Sequence, residues 1–437
     1  MLSTSDVAVV ARDRWRVAGT AAQVAIVGIV VALVSYWLLA HAQRHGFFDL
    51  VIYRNAARWW LDGNALYSFV QPNSGGYGFT YPPFAALCMV PMAYLSLNAA
   101  AAVTSVGTAV AITVTTWWLL APVAERHGWP RWFAVALAVP IVSGLEPVRE
   151  TMGFGQVNLF LVALILADVA ALRRGRPWAG AGIGLAMAVK LTPGLFVVYL
   201  LVTRRWRAAG VATGAFAGAT LLAAMVDSGT SWQFWTQTLW NTSRVGRLDY
   251  VSNQSLLGVA ARLADSGEPD RLFWLALCLA VLGLLLWRAT RAFRAGDDLV
   301  GFTLTGLATC LLSPISWTHH LFWIVPAVVV LVDVAAGRVL HSAAPQWFRA
   351  RPDVVARAAG GAAVAVLAMF LFSVVWPFNH RPGEHYTDGL IGVLGENAYA
   401  LTVLVLLVLL PIRAPLGAGP AVPENVSEGM GTVTSVG

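Results

Sequence analysis

Charge is scarce in this chain. Of its 437 residues only 12% are Asp, Glu, Lys or Arg, about half the share usual in a soluble protein. A soluble core could not absorb the 58% that is hydrophobic, so lipid is the expected solvent. Cysteine is scarce too. Cys88, Cys278 and Cys310 each lie inside an apolar run, which suits small core residues and gives neither a disulfide frame nor a metal-binding spacing. There is no P-loop, no G-x-S-x-G elbow, no HExxH helix and no dinucleotide fingerprint. There is also no Asp-x-Asp pair to hold a metal with a nucleotide diphosphate. That argues against a nucleotide-sugar donor.

Long apolar runs are what the chain has instead. "VAIVGIVVALVSYWLLA" and "AYALTVLVLLVLLP" approach the roughly 20 residues a helix needs to cross a bilayer. No small-residue cleavage site follows the first, so it reads as an anchor and not a removed signal peptide. Hydropathy marks spans near 18–40, 82–97, 99–121, 132–144, 156–172, 178–203, 209–226, 270–288, 298–312, 321–336, 355–376 and 396–412, about a dozen crossings. The reading is one all-α, polytopic domain over 1–413, surrounded by membrane lipids. Residues 414–437 are small and polar and read as a disordered cytoplasmic tail.

The net charge of +7 does not signal nucleic acid. The Arg residues sit in short loops, "RRWR" (204–207), "RATRAFR" (288–294) and 338–357, and in the N-terminal "RDRWR". This is the bias of cytoplasmic loops. An even number of crossings then puts both termini in the cytoplasm. "RRGRP" (173–177) falls on the wrong side under strict alternation. Either 178–203 is a re-entrant pair broken at "KLTP" (190–193), or 132–144 does not cross. The long loops, 41–81, 227–269 and 377–395, face the other way. They are rich in Trp, Tyr, Asn, Gln and Gly. Aromatics there suit an interface belt or a sugar site, where rings take C–H faces and amides take hydroxyls.

Ionisable residues at membrane depth point to function. Asp49 sits among Phe47, Phe48, Leu50, Val51 and Ile52. It reads as a helix cap, a partner of Arg54, or a general base in a partly dry pocket. Lys190, inside "AMAVKLTPGLF", either snorkels or meets an anion. His319 and His320 open an apolar helix in "SPISWTHHLFW", where backbone N–H groups favour phosphate; a metal would need a third ligand. Gln156, Asn158, Asn253, Gln254 and Tyr81 form a candidate sugar-binding set, although amides at helix starts also cap.

"DLVIYRNAARWWLDGNALYSF", "GFTYPPFAAL", "FGQVNLFLVALI", "GLAMAVKLTPGLFVVYLLVTRRWRA", "SNQSLLG" and "LLSPISWTHHLFWIVPA", in this order, resemble glycosyltransferase family 87. The resemblance extends over most of 40–330. It implies a GT-C fold with about 12 transmembrane helices, extracytoplasmic loops forming the active site, and a place in the plasma membrane. It implies transfer of mannose from polyprenyl-phosphate-mannose, in α-1,2 linkage, to a phosphatidylinositol mannoside, lipomannan or lipoarabinomannan acceptor. On that reading Asp49 is the base, with Asp62 a weaker candidate. Lys190, His319 and His320 meet the donor phosphate. Tyr53, Arg54, Arg58, Tyr81, Gln156, Asn158, Asn253 and Gln254 are substrate contacts. No cofactor and no metal is called for. A transferase of another sugar and a transporter of lipid-linked saccharide are the alternatives.

Overall fold

The computed structural model describes residues 19–41, 45–241, 246–264, 268–342, 346–379 and 389–414. The expected disordered tail and the N-terminal "RDRWR" lie outside them, as does much of the loop expected at 377–395. Among the described residues there is no strand, only two isolated bridges, Val70 with Gly78 and Leu340 with Arg413.

Among the described residues six helices are long and apolar enough to cross a membrane, or eight if each of two bent pairs counts as one. The six are α1 (Thr20–His41), α4 (Leu97–Arg126), α10 (Trp206–Val226), α13 (Arg271–Arg294), α17 (Pro352–Leu371) and α15 (Ile324–Ala335) with the 3-10 turn Thr318–Trp323 before it. The bent pairs are α5 (Arg131–Gly144) with α6 (Glu146–Phe154), at 66°, and α18 (Gly389–Glu396) with α19 (Ala398–Leu409), at 70°. The many apolar crossings expected are present as helices, while the count of about a dozen is not confirmed. Helices α3 (Pro83–Ala93) and α14 (Asp298–Leu312) are apolar but have only 11 and 15 residues. At about 1.5 Å per residue neither spans a core of about 30 Å alone.

Of the two segments that disturbed the alternation, one is interrupted and the other ends in a bend. The 178–203 stretch breaks into α8 (Ala181–Val189) and α9 (Gly194–Val202), with Lys190 fully extended between them. Pro193, which has no N–H to give a helix, follows the break. The 132–144 stretch turns sharply into α6.

Lipid replaces water as the solvent, so exposed and buried faces are both apolar. Helix α1 shows Val24, Ile29, Leu33, Tyr36 and Leu39 to the outside, whereas α15 is buried almost throughout. Close packing takes over from amphipathicity. On α8, Gly180 and Gly184 lie against α10; a Cβ at either would fall 2.2 Å from the carbonyl oxygen of Ala208 or Ala212. The cysteines are unpaired, and Cys88 is exposed on α3, not in the core as expected.

The bundle has two dissimilar ends. At one, Arg413 donates to Asp297 (2.6 Å) and Asp333 (2.9 Å), and Asp333 also takes Arg126 (3.1 Å) and His127 (2.8 Å). These close the C-terminal ends of α4 and α15 and the N-terminal end of α14. At the other end the chain leaves α14 at Ser313 and re-enters α15 through Thr318–Trp323. There it meets α2 (Phe48–Leu61), α6, and the loops around 65–82 and 246–255.

Candidate active site

Between these elements lies a cavity of about 660 Å³. Its lining includes Asp49, Tyr53, Tyr81, Gln156, Lys190, His319 and His320. Seven of the expected site residues thus share one space.

Two left-handed residues, Gly46 (φ 59°) and Phe47 (φ 56°), turn the chain into α2. The Phe47 N–H is held by the Gly153 carbonyl at 3.0 Å. Asp49 falls in the first turn of α2, where the helix N-terminus favours a negative charge. Gly155, at the end of α6, comes so near that a Cβ there would lie 2.6 Å from the Leu50 Cβ. That approach delivers the next residue. Gln156 Nε2 donates to Asp49 Oδ2 at 2.6 Å. The amide is oriented in turn: Tyr53 donates to Tyr81 at 3.1 Å, and Tyr81 to Gln156 Oε1 at 3.2 Å. Burial pushes the Asp49 carboxyl up to about 6. The Gln156 bond and the charges of Lys190 and His45 oppose that rise without cancelling it. A carboxylate that ionises near 6 is a suitable base at neutral pH.

Across the cavity Lys190 leaves the end of α8. Its Nζ donates to Asn158 Oδ1 at 3.0 Å and lies 2.9 Å from His320 Nε2 and 5.4 Å from the Tyr81 ring centre. The Trp317 N–H lies 3.2 Å from His320 Nδ1. Of the three N–H donors of the Lys190 ammonium, Asn158 and His320 account for two, which leaves one for an anionic oxygen in the cavity. His319 is buried, and its Nε2 has no hydrogen-bond partner among the described residues. Such a group calls for one. The His319 carbonyl is pinned by Asn158 Nδ2 (3.2 Å) and Thr151 (3.3 Å). Asn158 therefore works behind the cavity wall and holds both cationic and histidine groups in place.

The remaining candidates turn elsewhere. Arg54 donates to the Leu95 carbonyl at 2.9 Å and Arg58 to the Ala93 carbonyl at 2.6 Å. Both satisfy backbone at the end of α3, and neither reaches the cavity as a substrate contact would. Asn253 and Gln254 are fully buried away from it. Asn253 takes the Ser316 N–H (2.9 Å), and Gln254 donates to the Glu396 carbonyl (2.7 Å) and takes the Ala400 N–H (3.0 Å). They fasten loops together, so the substrate role expected for these four is not supported. Asp62 is the exposed C-cap of α2, which leaves Asp49 as the acid of that segment that faces the cavity.

Other lining residues went unread in the sequence. Glu150 is buried and bonded to His45 at 2.5 Å, and the His45 ring stacks on Phe154 at 3.8 Å. Tyr250, Trp317 and Trp376 form another wall. A signal for the first existed: "EPVRE" (146–150) puts three ionisable residues beside an apolar run.

Residues 79–314 match Glycosyltransferase family 87. The chain belongs to glycosyltransferase family 87. The family 87 match includes Tyr81, Gln156, Asn158 and Lys190, while Asp49 and the histidines flank it. Among relatives, the "Polyprenol-phosphate-mannose-dependent alpha-(1-2)-phosphatidylinositol mannoside mannosyltransferase" of Mycobacterium tuberculosis is 34% identical over 324 residues, 70% of this chain and 74% of that protein. Its Mycolicibacterium smegmatis counterpart is 35% identical over 313 residues, 66% and 70% of the two chains. The "pentamannoside mannosyltransferase" of the latter organism is 32% identical over 318 residues, 70% and 74%. No solved structure matches. This family 87 protein is a membrane-embedded glycosyltransferase, and the transporter reading falls.

The Gln156 bond gives a pH test. It stabilises the charged carboxylate, so Gln156→Leu should raise the Asp49 pKa further. The acid limb of kcat/KM, expected near pH 6 in the native enzyme, should move upward. A limb that stays in place would separate it from Asp49.

Proposed function

We propose that this transferase moves mannose from polyprenol-phosphate-mannose to the 2-hydroxyl of a mannosylated phosphatidylinositol glycolipid. The observation that carries the reading is one cavity with a raised carboxylate, Asp49, on one wall and Lys190 with His320 on another. The names of the relatives supply the substrate class. The acceptor oxygen attacks the anomeric carbon and gives its proton to Asp49. The bond from that carbon to the donor phosphate breaks, and the phosphate leaves with the electron pair. Lys190, His319 and His320 stabilise the charge that gathers there. A phosphodiester leaves well enough to need no general acid. Attack from the face opposite the phosphate converts a β-linked donor into an α-1,2 product. No step requires a metal or cofactor.

Membranes carrying the protein, given radiolabelled polyprenol-phosphate-mannose and mannosylated phosphoinositides, should yield an α-1,2-linked product on chromatography. Purified protein given only GDP-mannose and a divalent metal should yield none. Robust transfer from GDP-mannose would overturn the donor assignment.

We propose further that the cavity opens on the extracytoplasmic side of the plasma membrane, with both termini in the cytoplasm. Arg204, Arg205, Arg207, Arg291 and Arg294 flank helix ends on the side of the Asp297–Asp333–Arg413 cluster, away from the cavity, and positive loops stay in the cytoplasm. A cysteine at the exposed Asn73 should react with an impermeant reagent in intact spheroplasts. Reaction only after lysis would invert the orientation.

A further inference from the structure

The chemistry above leaves one wall of the cavity without a task. Tyr250, Trp317 and Trp376 come from three distant stretches and meet there. The Tyr250 ring centre is 6.0 Å from that of Trp317 and 6.0 Å from that of Trp376, with interplanar angles of 67° and 70°. These are edge-to-face contacts, which lock ring orientations. Trp376 is fixed from behind as well. Its Nε1–H donates at 2.7 Å to Glu146, a fully buried carboxylate that also takes the Tyr399 hydroxyl. The one polar atom of the indole thus points into the protein. What remains for a ligand is the ring.

The position of the wall matters. Asp49 has Lys190 and His45 as its charged neighbours, whereas Tyr250 has Glu150, Arg247 and Glu146. His45 is bonded to Glu150. At one edge the wall reaches the phosphate-binding group, since the Trp317 N–H meets His320 Nδ1 at 3.2 Å, and at the other it is anchored on Glu146 through Trp376. Beside the rings are the Ser252 hydroxyl and the Glu150 carboxylate. Ser252 already bonds Thr318 and one Glu150 oxygen bonds His45, but the other, Oε1, has no hydrogen-bond partner among the described residues, and a polyprenyl tail would leave it so. A sugar ring suits this wall, because it has an apolar C–H face for the aromatic surface and hydroxyls at its rim for that oxygen.

We propose that Tyr250, Trp317 and Trp376 form a second sugar subsite, which holds a mannosyl unit of the acceptor next to the unit under attack. The inference rests on the acceptor being a mannosylated lipid. It makes this wall the part of the enzyme that selects acceptors by the length of their mannose chain.

The test compares an alkyl α-mannoside with an alkyl α-mannotrioside as acceptors, at saturating polyprenol-phosphate-mannose. The native enzyme should prefer the trioside. Trp376→Leu keeps an apolar side chain but removes the aromatic face. The preference, read as a ratio of kcat/KM values, should fall about tenfold, mostly through KM, and Trp376→Phe should restore most of it. Tyr250→Leu carries the same expectation should Trp376→Leu not accumulate in membranes. No native preference, equal losses on both acceptors, or a preference unaltered in both variants would overturn the subsite. A native enzyme that mannosylates neither acceptor would overturn the proposed reaction, and the subsite with it.

Discussion

Asp49→Asn should lower turnover by about a hundredfold or more while the donor still binds. The amide matches the carboxylate in shape and keeps a bond to Gln156, but it cannot accept the acceptor's proton. The variant has a second signature. A carboxyl raised from 3.8 to about 6 binds more protons folded than unfolded between those values. Its contribution to stability is present at low pH and is lost as pH rises through 6. Asn removes that loss. The variant should therefore be as heat-resistant as the native protein at pH 4 and more so at pH 7. Loss of turnover with such a gain in stability identifies a functional group held at structural expense. A variant that keeps near-native turnover would move the base elsewhere.

Lys190→Met should cut kcat/KM for the donor by about a hundredfold to a thousandfold, in the range seen when one preorganised charge stabiliser is removed. Met preserves the stem but no ammonium remains for the phosphate. Two further consequences follow from the geometry. Asn158 Oδ1 loses its 3.0 Å donor. Asp49 loses a favourable charge, so the acid limb of the pH profile should also move upward. Donor kinetics and the pH profile measured together check both effects. A native donor KM and kcat in this variant would leave the phosphate without its cation.

Some of this was legible in the sequence because burial of charge in lipid is so unfavourable. Asp49 and Lys190 stood out against apolar neighbours, and both face the cavity. Pro193 marked the break that frees Lys190 from a helix. Arg54 and Arg58 looked equally informative, yet their partners are backbone carbonyls of a helix whose end no local pattern reveals. Asn253 and Gln254 show the same ambiguity, since an amide that pins a loop and an amide that binds a hydroxyl have the same composition. The number of crossings was less legible for a different reason. Hydropathy measures apolar length, and it does not register a 66° bend or a helix of 11 residues embedded among longer ones. The wall of Tyr250, Trp317 and Trp376 depends wholly on tertiary contact.

The ionic cluster at the far end bears on how the chain is made. Asp297 and Asp333 are buried beneath Arg413, and Arg413 leaves the ribosome long after either of them. Until it arrives, Asp297 is without that partner, and Asp333 relies on Arg126 and His127 alone. The cluster is thus complete only once residue 413 has joined it. A chain cut short before residue 413 leaves the buried Asp297 carboxylate without its guanidinium, so the last described stretch of the chain locks together helices made long before it.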